Sequence, residues 1–434
     1  MLLTKLNQTK KVLFFYFLLK SYCGYVIIIF KCKKGGRIIK NSVGKDKKKF
    51  QLFLIPVYLL IFLAVLGTSI ILSIDVRYRL KEKKANNAEN EQSDVYYYYN
   101  QLTYKEQLLF KEIKNAADFY EDKTEIVSYR YSSGEFQRIA KAIAFDCPEL
   151  FYLDVDSLKL FCDKYKSSVT IEYLATPTAI KNMKMEMEAV SAAAVAYTNS
   201  EQTDFEKAVA LHDFLTSHCT YAGKIEDGNS ISQLTHKAYG ALIQKYAFCD
   251  GYASAYKILL NRCGIECIII EGSAQAEPHL WNMVKQGDRY YHIDCTWDDP
   301  DIDFVSDLRF HGFFNLSDRE ISKTHNVYDG FILPEAKTEN NYYAQKNAVV
   351  SSVEEVEEVA YNQIKSAVAL NQKYFELYIE FSNIESSYKE GLLKALDRIN
   401  GEYDKAILSR SYRIFNATND GNAVTVQIYY LNQE

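Results

Sequence analysis

Leu52 to Ile74 (LFLIPVYLLIFLAVLGTSIILSI) is a run of 23 residues without a charge. About 20 apolar residues in a helix cross the hydrocarbon core of a bilayer, so the run predicts a transmembrane helix over 50–75. The competing reading is a buried helix of a soluble domain. Pro56 lies near the start, where a membrane helix tolerates a proline. Residues 31–49 carry nine Lys/Arg and residues 75–90 carry five. The positive-inside tendency therefore places 31–49 in the cytoplasm and everything after about residue 75 outside. An earlier apolar stretch, Val12 to Phe30, is interrupted by Lys20. It is open as a first span, as a signal-like segment or as an extension without function. Nothing there resembles a small-residue cleavage site, so the anchor is expected to stay. The expected location is the cell membrane, crossed once or twice, with the lipid bilayer as a partner.

Charge divides at the same place. Residues 1–84 hold 18 Lys/Arg against 3 Asp/Glu, a balance of +15, and the other 350 residues hold 33 against 53, a balance of -20. An acidic body lacks the basic footprint of a general nucleic-acid binder. Its share of 35 Tyr and 24 Phe is ample for a packed core and excludes disorder for most of it.

The patterning divides the chain into a basic segment with a possible first span (1–49), the transmembrane helix (50–75), a linker (76–95) whose polar residues 82–94 read as a tether, and three folded parts. Residues 96–200 read as an α+β domain, with helices at Tyr104–Phe119, Phe136–Ala144 and Lys181–Tyr197 and strands at Glu125–Tyr131 and Ser168–Tyr173. The tyrosines 96–99 are expected at a domain edge. Residues 201–335 carry the chemistry. Residues 350–434 read as a small α/β module, helix 351–368, strand 374–381, helix 385–399, then two strands joined by a turn at Asn419-Asp-Gly421.

Within 201–335, Cys249 stands at or just before the N-terminus of a helix that Gly264 ends, where unpaired backbone N–H groups favour a thiolate. A hairpin follows, His279–Val284, a turn at Gln286-Gly-Asp288, then Arg289–Asp298. Alternation puts His279, Trp281 and Met283 on one face of the first strand, and His292 and Asp294 on one face of the second. A thiol at a helix start, a His on one strand and an Asp on its partner can converge as nucleophile, base and the carboxylate that fixes the imidazole tautomer.

The run Gly240-x8-Cys249-Asp-Gly-Tyr-Ala, then Gly264-Ile, Glu271-Gly, His279-x-Trp-Asn-x-Val and Tyr291-x-x-Asp294-x-Thr-Trp-Asp-Asp-Pro300 resembles the transglutaminase-like superfamily, and in particular its bacterial cell-envelope members. The resemblance covers roughly residues 205–330. It implies a papain-like α+β core, which with the patterning on either side gives an expected α+β fold of that core flanked by small α+β domains behind the N-terminal transmembrane helix. It also implies a Cys249–His279–Asp294 triad that attacks a carboxamide or peptide carbonyl and passes through a thioester, on a protein or peptide substrate outside the membrane. The backbone N–H of Cys249 and the side chain of Gln244 are the oxyanion candidates. Tyr252, Trp281 and His292 are candidates for substrate contact or for supporting the triad. Animal transglutaminases use a Trp in the oxyanion region, and no Trp precedes Cys249, which leaves amide hydrolysis open beside transfer.

The other histidines, His325 among them, show no His-x-x-x-His spacing with a Glu, so neither a metal nor a cofactor is expected. Two of the other cysteines lie in the N-terminal apolar region and the remaining six show no paired spacing; Cys219, Cys263, Cys267 and Cys295 read as inert buried groups. The alternative to an enzyme is a non-catalytic envelope binding or scaffold protein that keeps the fold.

Overall fold

The computed structural model describes residues 19–21, 24–26, 46–86, 93, 96–127, 129–200, 202–224, 232–299, 309–328, 330–380, 385–402, 408–416 and 423–430. It forms two compact units, Met1–Ile74 and Asp75–Glu434. In the first, β1 (Leu19–Ser21) and β2 (Gly24–Val26) pair antiparallel. The described part of the early apolar stretch is therefore extended rather than helical, and the rest of Val12–Phe30 lies outside the described residues. α1 spans Asp46–Asn86. Its segment Leu59–Arg77 is long and apolar enough to cross a membrane, and none of it is buried; 19 residues make about 28 Å of helix. The hydroxyls of Thr68 and Ser69 bond back to Val65 O at 2.9 and 2.8 Å, and Ser73 to Ile70 O at 2.7 Å, so its polar side chains are satisfied within the helix. The helix runs on through residues read from sequence as linker. Polarity marks where apolar surroundings end, whereas Leu80, Lys81, Glu82, Lys83, Lys84 and Ala85 are all good helix formers.

The second unit begins within α1 and continues with α2 (Tyr104–Phe119), β3 (Lys123–Val127), α3 (Ser133–Asp146), β4 (Lys159–Cys162), β5 (Lys166–Thr170) and α4 (Pro177–Val195). The three strands form an antiparallel sheet, order β3-β5-β4. α5 (Asp204–His218) follows, then β6 (Thr220–Tyr221) and β7 (Tyr246–Ala247), which pair parallel, and α6 (Cys249–Arg262). Capping boxes start α2 (Thr103, Glu106), α3 (Ser132, Glu135) and α5 (Thr203, Glu206), each satisfying two backbone N–H groups that the helix itself leaves open.

The central sheet is antiparallel, order β11-β10-β9-β8-β12: β8 (Cys267–Ala274), β9 (Glu277–Gln286), β10 (Arg289–Ile293), β11 (Phe314–Leu316) and β12 (His325–Val327), with α7 (Asp318–Ile321) between the last two. α6 packs on β8 and β9. Ile268–Ile270 and Trp281–Val284 are buried without alternation, because the middle strands are covered on both faces. The sheet, α6, α5 and the α2–α3 region share one hydrophobic core. Tyr98 and Tyr99 sit in that core rather than at an edge, Tyr98 donating to Ile269 O, and Asp146 and Lys257 pair inside it at 3.8 Å.

Beyond α8 (Tyr342–Gln345) comes a second core. It lies between a sheet ordered β13-β14-β16-β15, made of β13 (Val349–Val350), β14 (Tyr374–Ile379), β15 (Leu408–Asn416) and β16 (Ala423–Tyr430), and the helices α9 (Val356–Ala369) and α10 (Glu385–Glu402). The expected Asn-Asp-Gly turn at 419–421 lies outside the described residues.

Candidate active site

Cys249 is the first residue of α6. Phe248 before it is extended (φ -83°, ψ 177°), and no side chain caps the helix, unlike the boxed starts of α2, α3 and α5. The positive end of the helix therefore faces the thiol. Asp250, in the same turn, is held elsewhere: its carboxylate contacts His236 Nδ1 at 2.8 Å and accepts the Gly251 N–H at 2.9 Å, while the His236 ring stacks on Phe248 at 4.5 Å. That hydrogen bond raises the His236 pKa. A Cβ at Gly251 would meet Thr235 O at 2.7 Å, so a glycine is needed for α6 to seat against residues 233–236. Cys249 is partly exposed, whereas Cys147, Cys219, Cys267 and Cys295 are buried. Burial pushes the Cys219 and Cys267 thiols up to about 12 and holds Cys147 and Cys295 high as well, which leaves those four protonated and unreactive. Tyr221, whose ring meets Phe248 edge-on at 5.8 Å, has its phenol pKa raised by burial and then by the nearby Cys249 and Asp250.

His279 lies on β9 opposite Gly272 on β8. Its Nε2 is 2.7 Å from Asp294 Oδ2, and Cys249 lies near enough to act on the ring electrostatically. Burial alone would lower its pKa; the charge and hydrogen bond of Asp294, followed by the interactions with Cys249, outweigh this and raise it to about 10. Asp294 follows the end of β10 and is fully buried, which would raise its pKa, yet His279 holds it well below the usual carboxylate range. Its other oxygen accepts the N–H groups of Thr296 (2.9 Å) and Trp297 (3.2 Å). The strand bearing His279 is fastened to the helix bearing Cys249 by Asn282, whose Nδ2 donates to Ala253 O at 3.0 Å and Cys267 Sγ at 3.3 Å.

Of the other candidates, Trp281 meets the site, whereas His292, Tyr252 and Gln244 bond to residues outside it. Trp281 is buried with its ring stacked on His279, centroids 6.1 Å apart. It fits because β8 has a glycine beneath it: a Cβ at Gly272 would meet the Trp281 ring at 2.7 Å and Asn326 O at 2.0 Å. His292 does not meet Asp294. Its Nδ1 accepts the Trp281 indole N–H at 3.0 Å and its Nε2 contacts Asp318 at 2.9 Å, so it braces Trp281 instead. Alternation along β10 gave the shared face, but Asp294 lies past the strand end, where the chain turns. Tyr252 is buried and donates to Asp299 Oδ2 at 2.5 Å. Gln244 is exposed at the end of a π-helical turn, its amide 3.5 Å from Ser232 Oγ.

His325 on β12 was missed. Its Nε2 is 3.1 Å from the same Asp294 oxygen that His279 contacts, and its Nδ1 is 2.7 Å from Thr324 Oγ1. Trp297, edge-on to Phe313, covers both imidazoles, with ring centroids 6.2 Å from His279 and 4.7 Å from His325.

Residues 191–295 match the family model of the transglutaminase-like superfamily. This segment, which includes Cys249, His279 and Asp294, is a transglutaminase-like domain. The mixed helix-and-strand fold expected from the sequence, with its apolar N-terminal helix, is the one observed. No curated protein matches the chain. Among solved structures, one described as a TGase shares 15% identity over 49% of this chain and 59% of its own, with a TM-score of 0.25. A protein assigned as a protease from Parabacteroides distasonis shares 10% over 31% and 35%, TM-score 0.19. One assigned as a cysteine protease from Cytophaga hutchinsonii shares 11% over 51% and 83%, TM-score 0.22.

Proposed function

We propose that this chain is a membrane-anchored thiol enzyme that acts on amide bonds of proteins or peptides outside the membrane, through Cys249, His279 and Asp294. The observation that supports the reading is His279 held through Nε2 by Asp294 at 2.7 Å, with the partly exposed thiol of Cys249 close by at an uncapped helix start. In this mechanism Cys249 acts as the thiolate and His279, its pKa raised to about 10, as the imidazolium. The Cys249 sulfur adds to the carboxamide carbon, the carbonyl electrons move to oxygen, and the backbone N–H at the start of α6 faces that charge. Gln244 would have to leave Ser232 to join it. His279 then gives its proton to the leaving nitrogen, the C–N bond breaks, and ammonia or an amine departs from the thioester. A second amine, or water, loses a proton to His279 and attacks the thioester, and the C–S bond breaks to restore the thiolate.

Iodoacetamide treatment of the full chain in detergent near neutral pH, read by peptide mass mapping, tests the site. Cys249 is expected to label at least about tenfold faster than any other cysteine, with that preference lost in His279→Ala. Equal labelling of all cysteines, and only after unfolding, would sink the proposal in favour of a binding or scaffold protein. Incorporation of a fluorescent primary amine into a glutamine-containing protein, run beside a peptide-cleavage assay, then separates transfer from hydrolysis.

A further inference from the structure

A second group of buried ionisable side chains lies where the core meets the C-terminal module. We propose that His212, Asp213 and His311 bind a divalent cation of the zinc class. α5 supplies His212 and Asp213, and His311 precedes β11. His212 Nδ1 and His311 Nε2 lie 3.2 and 2.8 Å from one and the same oxygen, Asp213 Oδ1, and the three donor atoms all fall within 4.8 Å of one another.

The far nitrogen of each ring meets a separate buried carboxylate. His212 Nε2 is 3.1 Å from Asp298 Oδ2, and His311 Nδ1 is 2.5 Å from Glu376 Oε2. Both carboxylates are themselves fixed: Asp298 accepts the Phe313 N–H at 2.8 Å, and Glu376 accepts the His311 N–H at 3.2 Å. This is the outer arrangement that metal-binding histidines use. An N–H donated outward to a carboxylate sets the tautomer and leaves the inner nitrogen's lone pair free for a cation. The two rings lie 5.1 Å apart, centroid to centroid, and are no more than 1% exposed. Two nitrogens and one carboxylate suit zinc, whereas calcium and magnesium take oxygen sets. The Asp213 side chain keeps 31% of its surface exposed, which gives an ion a route in. Tyr342, stacked on His311 at 3.8 Å, holds that ring in place. His279, Asp294 and His325 also converge, but they belong to the site already described.

The test uses the full chain purified without a polyhistidine tag, incubated with Zn²⁺ and dialysed. Elemental analysis is expected to find about one equivalent of zinc per chain. A strong chelator is expected to lower the melting temperature, and added Zn²⁺ to restore it. His311→Ala and Asp213→Asn are expected to lose the equivalent. Glu376→Gln is expected to weaken binding by about 10–100-fold, and a Cys249→Ala, His279→Ala double variant to keep it. If the histidine variants do not fold, Co²⁺ uptake by the wild type decides through its visible absorption. Folded wild-type protein with less than about a tenth of an equivalent after zinc treatment, and a melting temperature indifferent to chelator, would overturn the proposal and assign protons to the network. So would loss of the equivalent in the double variant with retention in His311→Ala, which places the ion at the thiol site.

Discussion

Asp294 is the most committed side chain of the candidate site. One oxygen faces His279 and His325 at 2.7 and 3.1 Å, and the other accepts two backbone N–H groups. Such a carboxylate stays ionised while it orients an imidazole. If His325 positions Asp294, His325→Ala should slow Cys249 alkylation by about three- to tenfold and move the alkaline limb of its pH profile to lower pH. His325→Asn should recover part of the rate. An unchanged profile in His325→Ala would remove that role. The raised His279 pKa fixes a second expectation. Its folded value of about 10 exceeds the unfolded value of about 6.5, so its stabilising contribution is complete below the latter and disappears as pH rises through the former. The urea midpoint should therefore fall between pH 7 and 10.5, and fall less in His279→Gln. The pairing of His279 with Asp294 was readable because their motifs are short and ordered along the chain. His325 was not: it sits on a three-residue strand, 31 positions after Asp294, too short for periodicity to show which way it faces.

At the scale of elements, the histidine-bearing strand packs on its neighbours through a close approach at Gly272. Gly272→Ala forces a Cβ to within 2.0 Å of Asn326 O and 2.7 Å of the Trp281 ring. Overpacking of that kind typically costs about 1–3 kcal/mol, and here it also shifts the ring stacked on His279. The variant is expected to lose stability in urea unfolding and to label more slowly at Cys249. Native stability with normal labelling would show that β12 yields freely. α2, with a capping box and an apolar stripe, spans the Tyr104–Phe119 read from the pattern, whereas α3, also boxed, begins three residues before and ends two after the Phe136–Ala144 read. β4 gave no such signal, since Lys159–Cys162 is largely exposed and has no apolar face to alternate. The extent of α1 was misjudged because hydropathy reports solvent preference and says little of backbone conformation.

At the scale of the molecule, the charge split and the apolar helix form one argument about placement. If residues 31–49 are cytoplasmic and the acidic body lies outside, protease added to intact cells should digest the body and spare the basic loop until the membrane is opened. Digestion of the body only after lysis would reverse the orientation. The C-terminal module was legible as a run of elements with a core of its own, but nothing in the sequence ties Glu376 to His311 across 65 positions, since that pairing depends on how two separately patterned segments dock. Glu376 nevertheless sits in the core's electrostatics as though it belonged there. Recombination between genes could therefore not exchange this module freely. A donor segment lacking a carboxylate at that position would fold around its own core and still leave His311 with a buried, unanswered nitrogen, so the two parts are expected to be inherited as one unit even though each packs by itself.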